Sequence, residues 1–231
     1  LAPVGGWGVG LWIMEQGLRW ILAVADRIAA IENGVSYVVA PQAVVVPMLA
    51  LGLLWLALWQ GRARFMGAGI AVLAGLIWTQ STRPAVLVAD NGGMIGVMMD
   101  SGRALSKAKG NGFAAGIWLE NDGNPVPQDE AAARLPEQQA IRRVDIGLGD
   151  WQITQVSGKT ALAKLQGCGG ADVLILNTQD DTDRPCQVYD PIDLRSTGSL
   201  AIDLDREGGL GIVTAADVSG ARPWTPLLSR A

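Results

Sequence analysis

Between Glu32 and Arg62 no side chain carries a charge, and the stretch 44–59 (VVVPMLALGLLWLALW) is almost wholly apolar. With its flanks the run reaches the roughly 20 residues that cross a bilayer as a helix. Pro47 falls in its first turns and Trp55 and Trp59 near its far end, the positions of tolerated prolines and interfacial aromatics in membrane helices. A transmembrane helix is therefore predicted over about 42–60. After the polar break Gln60-Gly61-Arg62-Ala63-Arg64 the chain runs apolar again to Trp78, and a second crossing is predicted over about 65–81. Two arginines in the connecting loop favour the cytoplasm for that loop and the extracytoplasmic side for everything after Pro84, although Arg83 votes the other way.

Upstream, residues 11–31 have a helical pattern in which Glu15, Arg19 and Asp26 fall within a narrow arc of one face, with Arg27 beside them. Two readings stand side by side. One is an amphipathic helix in the membrane interface, with Trp7, Trp12 and Trp20 at headgroup level. The other is a helix whose polar side lines a cavity in a larger bundle, which makes Glu15, Arg19, Asp26 and Arg27 candidates for pore-facing or DNA-contacting groups. The chain opens on Leu1 with a bulky residue and no initiating Met, as a piece of a longer protein would.

Charged residues are only 17% of the chain, against roughly 25% in an ordinary soluble domain. The deficit lies in residues 1–83, with five basic and three acidic residues, whereas 84–231 carries thirteen basic and nineteen acidic ones. An acidic domain is a poor non-specific binder of DNA. After Pro84 the pattern changes to short β runs separated by turn residues, at 86–89, 95–99, 151–156, 173–176, 187–189, 200–204 and 212–214. Helices are predicted at 129–139 and 160–165, each preceded by turn or cap residues. The expected architecture is a membrane segment, 1–83, of transmembrane or interfacial α-helices, followed by an α/β (α+β) domain, 84–231.

The chain contains no histidine. A His-ligated zinc or di-metal site, a Ser-His-Asp triad and a Cys-His dyad are thereby excluded within it. Ser157-Gly158-Lys159-Thr160 imitates the end of a phosphate-binding loop, but Ile153 stands where the motif needs a glycine. Ser106-Lys107-Ala108-Lys109 matches the S-x-x-K pattern of acyl-transfer enzymes without its companion motifs, and a solvated loop is the plainer reading. Asp180, Asp181 and Asp183 offer oxygen ligands for calcium, yet the glycine and distal glutamate of an EF-hand loop are missing, which favours an acidic turn. Asp203 and Asp205 alternate with apolar residues, as the outward side of a strand does. Cys168 and Cys186 flank the run 173–176 and form either a disulfide or two free thiols, since spacing does not decide geometry. No cofactor is expected.

The order of these parts matters: a polar-striped helix, two apolar runs with an arginine loop, then Arg83-Pro84-Ala85-Val86-Leu87-Val88-Ala89-Asp90-Asn91-Gly92-Gly93 opening a mixed domain. This resembles the carboxy-terminal part of ComEC-type competence proteins, over nearly the whole chain. Asp90-Asn91-Gly92, the run 95–99 and Asp100-Ser101-Gly102-Arg103-Ala104-Leu105 lie on the strand, Asp-x-Gly turn and Gly-containing hairpin that open the soluble domain of that family. Ser196-Thr197-Gly198-Ser199-Leu200-Ala201-Ile202 and Gly220-Ala221-Arg222-Pro223-Trp224 resemble its endings. The resemblance implies a degenerate metallo-β-lactamase-like domain behind a channel for single-stranded DNA. Metal-binding members hold their ions with histidines and aspartates, so the departure here implies a non-catalytic domain in which Asp90 braces its turn.

The implied function is uptake of single-stranded DNA in natural transformation, with the chain lodged in a bacterial inner membrane and its domain extracytoplasmic. The implied partners are the lipid bilayer, an upstream membrane domain of the same protein, single-stranded DNA and other competence proteins. The alternative is a membrane-tethered interaction or assembly module without a DNA function. An enzyme with its site on the carboxylates is disfavoured, because nothing pairs them with a base or at a metal-ligand spacing.

Overall fold

The computed structural model describes residues 7–31, 36–135 and 142–220. The chain divides into two compact units, 1–37 and 38–231. In the first, α1 (Trp7–Ala29) is a single helix whose residues from Leu11 onward are all exposed, with Arg19 paired to Glu15 one turn earlier at 2.7 Å.

The second unit begins with an extended segment and a helical hairpin, α2 (Val45–Leu58) and α3 (Phe65–Thr79), joined through a 3-10 turn at Arg62–Arg64. The two helices touch at a pair of glycines. A Cβ on Gly67 would stand 2.5 Å from the Gly52 carbonyl oxygen, and one on Gly52 would stand 2.9 Å from that of Gly67. Backbone therefore meets backbone there, as small residues permit.

The helices correct the sequence expectation. At 1.5 Å per residue α2 and α3 span about 21 and 22 Å, short of a hydrocarbon core of about 30 Å. Helix α1 is long enough at 23 residues but carries Glu15, Arg19, Asp26 and Arg27. Among the described residues no helix is long and apolar enough to cross a membrane, which overturns the transmembrane helices predicted at 42–60 and 65–81. The reason is local. The residues needed to lengthen the apolar run to a span are not helical, because Val39 pairs with Asp122 in an isolated antiparallel bridge and the Ala40 amide donates to the Asn121 carbonyl at 2.7 Å. At the other end Trp59 leaves the helix with an extended backbone. In place of two transmembrane helices ahead of a separate domain, the described residues form an α+β fold of eight helices and two sheets.

The strands follow the hairpin. In chain order they and their helices are β1 (Val86–Val88), β2 (Ile95–Met99), β3 (Gly102–Leu105), α4 (Gly112–Asn121), α5 (Gln128–Ala133), β4 (Arg143–Leu148), β5 (Trp151–Val156), α6 (Lys159–Ala163), β6 (Val173–Leu176), β7 (Gln187–Tyr189), α7 (Pro191–Thr197), β8 (Leu200–Leu204), β9 (Leu210–Thr214) and α8 (Ala215–Ser219). One sheet, ordered β3-β2-β1-β8-β9, is antiparallel throughout; the other, β4-β5-β6-β7, pairs β4 antiparallel and the rest parallel.

Side-chain alternation along the strands sets the layers. Val86 and Val88 of β1 meet Val173 and Ile175 of β6 in one core between the sheets, together with Ile95, Ile153, Leu200 and Ile202. Leu87 points the other way and packs under Ala115, Trp118 and Leu119 of α4 and Ala131 of α5. Leu174 and Leu176 likewise pack outward, against Leu162 of α6. The central strands β1 and β6 are thus buried on both faces, which is why they read as unbroken apolar runs. Gly92 clasps the sheets together: its φ is 62°, a Cβ there would lie 2.1 Å from the Leu176 carbonyl oxygen, and its own carbonyl accepts from Gln155 Nε2 at 2.7 Å.

Helix boundaries are set by side-chain chemistry. Asp190 caps α7 by accepting from the Ile192 and Asp193 amides at 2.8 and 3.0 Å, and Pro191 opens its first turn. Thr214 and Asp217 form the equivalent reciprocal cap on α8. The predicted helix at 129–139 is observed as the shorter α5, with 136–141 outside the described residues. The endings at 221–224 lie outside them too.

Candidate functional site

Two features of the second unit attract attention, a buried ionic centre and an open cleft. The centre lies where α4 ends. Asp122 has 2% of its side chain exposed and receives Arg83 Nε at 2.8 Å, Arg103 Nη2 at 3.2 Å and Arg103 Nε. Arg103 is completely buried on β3, and its remaining donors reach the carbonyls of Gly96 and Pro84, each at 3.1 Å. A buried guanidinium is tolerated only with its charge paired and its N–H groups satisfied. This centre ties the approach to β1, the β2–β3 hairpin and the end of α4 to one carboxylate. Because Val39 pairs with Asp122 and Trp78 Nε1 donates to the Val39 carbonyl at 2.8 Å, the α2–α3 hairpin is anchored at the same place.

The cleft opens beside Asp90, at the end of β1. It measures about 360 Å³ and is lined by Ala89, Asp90, Asn91, Asn111, one side of α4 and Ser199. Asn111 precedes α4 with a left-handed backbone, φ 53°, unique among the non-glycine described residues. Its Nδ2 donates to Asn91 Oδ1 at 2.9 Å, and the same oxygen accepts from the Gly93 amide at 2.8 Å. The rest of the lining is largely apolar: Phe113 and Ile117, one turn apart, and Trp118, with Phe113 85% exposed.

The residues singled out in the sequence are scattered. Glu15 and Arg19 are paired on α1, while Asp26 and Arg27 follow further along the same exposed helix. Arg62 and Arg64 sit exposed at the hairpin tip, next to Trp55 and Trp59, whose rings stack at 4.3 Å. Ser106 Oγ accepts from the Ile95 amide at 2.9 Å, a strand-pairing role. The Ser157–Thr160 motif is a strand-to-helix turn in which the Gly158 amide donates to Asn177 Oδ1 at 2.7 Å. Asp205 closes the β8–β9 turn by accepting from the Glu207 and Gly209 amides at 2.9 and 2.7 Å. Asp180 pairs with Arg184 in a nearly buried ion pair, and no group of three or more metal-ligating side chains occurs among the described residues. Cys168 and Cys186 are joined in a disulfide that links the segment before β6 to the start of β7.

The hydrogen bond from Arg184 holds the Asp180 carboxyl below its ordinary ionisation range, outweighing burial, with the Thr182 hydroxyl and amide adding to it. In Asp145 burial pushes upward, but hydrogen bonds from Arg143 and Thr154 and the Arg143 charge prevail and lower it. Sequence reasoning missed Arg103, Asp122, Asn111 and Phe113. Asn121-Asp122-Gly123 reads as a loop, and nothing local marks its aspartate as buried. Phe113 and Ile117 at a spacing of four, following Asn111-Gly112, carried the signal of a short helix.

No family model, curated protein or solved structure matches the chain.

Proposed function

We propose that the chain is a non-catalytic carboxy-terminal part of a channel protein that takes up single-stranded DNA, with the α2–α3 hairpin docking its sandwich against apolar helices of the upstream portion of the same protein. The observation that carries the docking role is the hairpin surface. Leu51, Leu54, Leu58, Phe65, Val72 and Leu76 are each more than half exposed, and clustered exposed apolar side chains mark interaction sites. The hairpin is short for a span but is tied to the sandwich through Val39, Trp78 and the Asp122 centre, as a docking element must be. The DNA part rests on the sequence resemblance. The disulfide supports an oxidising compartment for the sandwich.

The test is uptake of labelled DNA in a strain lacking the gene, complemented with the intact protein, a truncation before Pro84, or Leu54→Glu with Val72→Glu, protein levels being matched. Rescue by the intact protein alone supports the reading. Uptake independent of the gene overturns the DNA role and leaves an interaction module; full rescue by the double substitution overturns the docking role.

A further inference from the structure

The cleft at the start of α4 is not used by the proposed docking role. Its volume of about 360 Å³ sits in the lower range of small-ligand pockets. Its lining combines aromatic and aliphatic side chains, Phe113, Ile117 and Trp118, with the polar groups of Asp90, Asn91, Asn111 and Ser199. Phe113 stands 85% exposed, outside the core cluster beneath α4. Asn111 holds a left-handed backbone that glycine would adopt at less cost. The side chain it keeps presents its amide to Asn91, leaving further carboxamide donors and acceptors directed by that pairing.

From this juxtaposition we infer that the cleft binds a nucleobase, stacked on Phe113 and read along its edge by the carboxamides of Asn91 and Asn111. The Asp90 carboxylate disfavours a phosphate inside the cleft and accepts from exocyclic amino or ring N–H groups. Lys107 and Lys109 lie on the loop that leads into Asn111, and their carbonyl neighbourhood is held by Gln128 Nε2, which donates to the Lys107 and Gly110 carbonyls at 3.1 and 2.7 Å. These two lysines, four and two residues before Asn111, offer cations for the phosphates of a strand, while a free nucleoside would need the cleft alone. The inference does not depend on the uptake role, because either source supplies the same ring.

The test uses the whole chain, titrated calorimetrically with adenosine and cytidine and, separately, with a short mixed-sequence single-stranded oligodeoxynucleotide. Saturable binding is expected, weakened about tenfold or more by Phe113→Ala, as loss of one stacking partner implies. A comparable loss is expected from Asn111→Gly, which keeps the positive φ while removing the carboxamide. Both positions are open to substitution without disturbing the core, and unchanged circular dichroism would verify it. Nucleoside binding untouched by Lys107→Gln with Lys109→Gln supports a free nucleoside as the source. Binding of the oligonucleotide alone, lost in that lysine variant and weakened by Phe113→Ala, supports a strand. Absence of saturable binding by any of these ligands, or binding unchanged in both Phe113→Ala and Asn111→Gly, overturns the inference.

Discussion

Replacing Asp122 with asparagine removes the charge that two arginines share. Arg103, with no exposed surface, would keep its buried guanidinium and its bonds to the Gly96 and Pro84 carbonyls but lose its counter-ion. Breaking a buried pair by removing one partner costs about 3–5 kcal/mol. Arg83, 22% exposed, contributes one bond to the same carboxylate. Its replacement by glutamine leaves Asp122 paired with Arg103, so the cost should be that of one charge-assisted hydrogen bond, about 1.5–3 kcal/mol before solvent screening and nearer the lower figure after it. For a chain of this size each kcal/mol moves Tm by about 2–4 °C. Asp122→Asn should therefore lower Tm by roughly 6–20 °C and Arg83→Gln by about a third as much. Urea unfolding followed by circular dichroism measures both, and the double variant should be less destabilised than the two costs added together. Equal costs for the two substitutions, or less than about 1 kcal/mol for Asp122→Asn, would refute the claim that the buried guanidinium depends on this carboxylate.

Gly67→Ala forces a methyl group to within 2.5 Å of the Gly52 carbonyl oxygen and should destabilise by about 1–3 kcal/mol in thermal melts, whereas Gly69→Ala, with nothing within 4 Å, should be neutral or stabilising by up to about 1 kcal/mol. Reduction of the Cys168–Cys186 bond, or Cys168→Ser with Cys186→Ser, releases a loop closed across 18 residues and should cost about 3 kcal/mol by denaturant unfolding. Because the Asp180 carboxyl ionises below its unfolded value of about 3.9, its stabilisation is present above about pH 4 and is lost as pH falls through the lowered folded value. Acid unfolding curves for Asp180→Asn should show a smaller loss of stability over that window than the unaltered chain; an unchanged loss would place the acid sensitivity elsewhere.

Much of the strand layout was legible without coordinates. Residues 86–88 and 173–176 announce themselves as short apolar runs because they are buried on both faces, and 151–156 and 200–204 because turn residues bound them. β3 was placed only through the resemblance's Gly-containing hairpin, because Gly102-Arg103-Ala104-Leu105 is too short to show a strand pattern, and β4 went unread because Arg143–Leu148 contains a glycine and two charged residues. The apolar run 44–59 misled because hydrophobicity measures preference for an apolar surrounding, not the length of the helix that will form. Its amino-terminal flank was claimed by backbone pairing with Asn121 and Asp122, which lie far along the chain.

What the sequence determined by itself is chemical inventory and local grammar: the lack of histidine, the turn before the helix at 160–165, and the apolar runs of the central strands. These depend on residue identity and near neighbours alone. Only the tertiary structure decided that Arg103 is buried, that Asp122 is its counter-ion, that Cys168 and Cys186 meet, and that Asp90, Asn111 and Phe113 line one cleft. Each of those joins residues distant in sequence, and burial and pairing across such distances are properties of packing that no local pattern encodes.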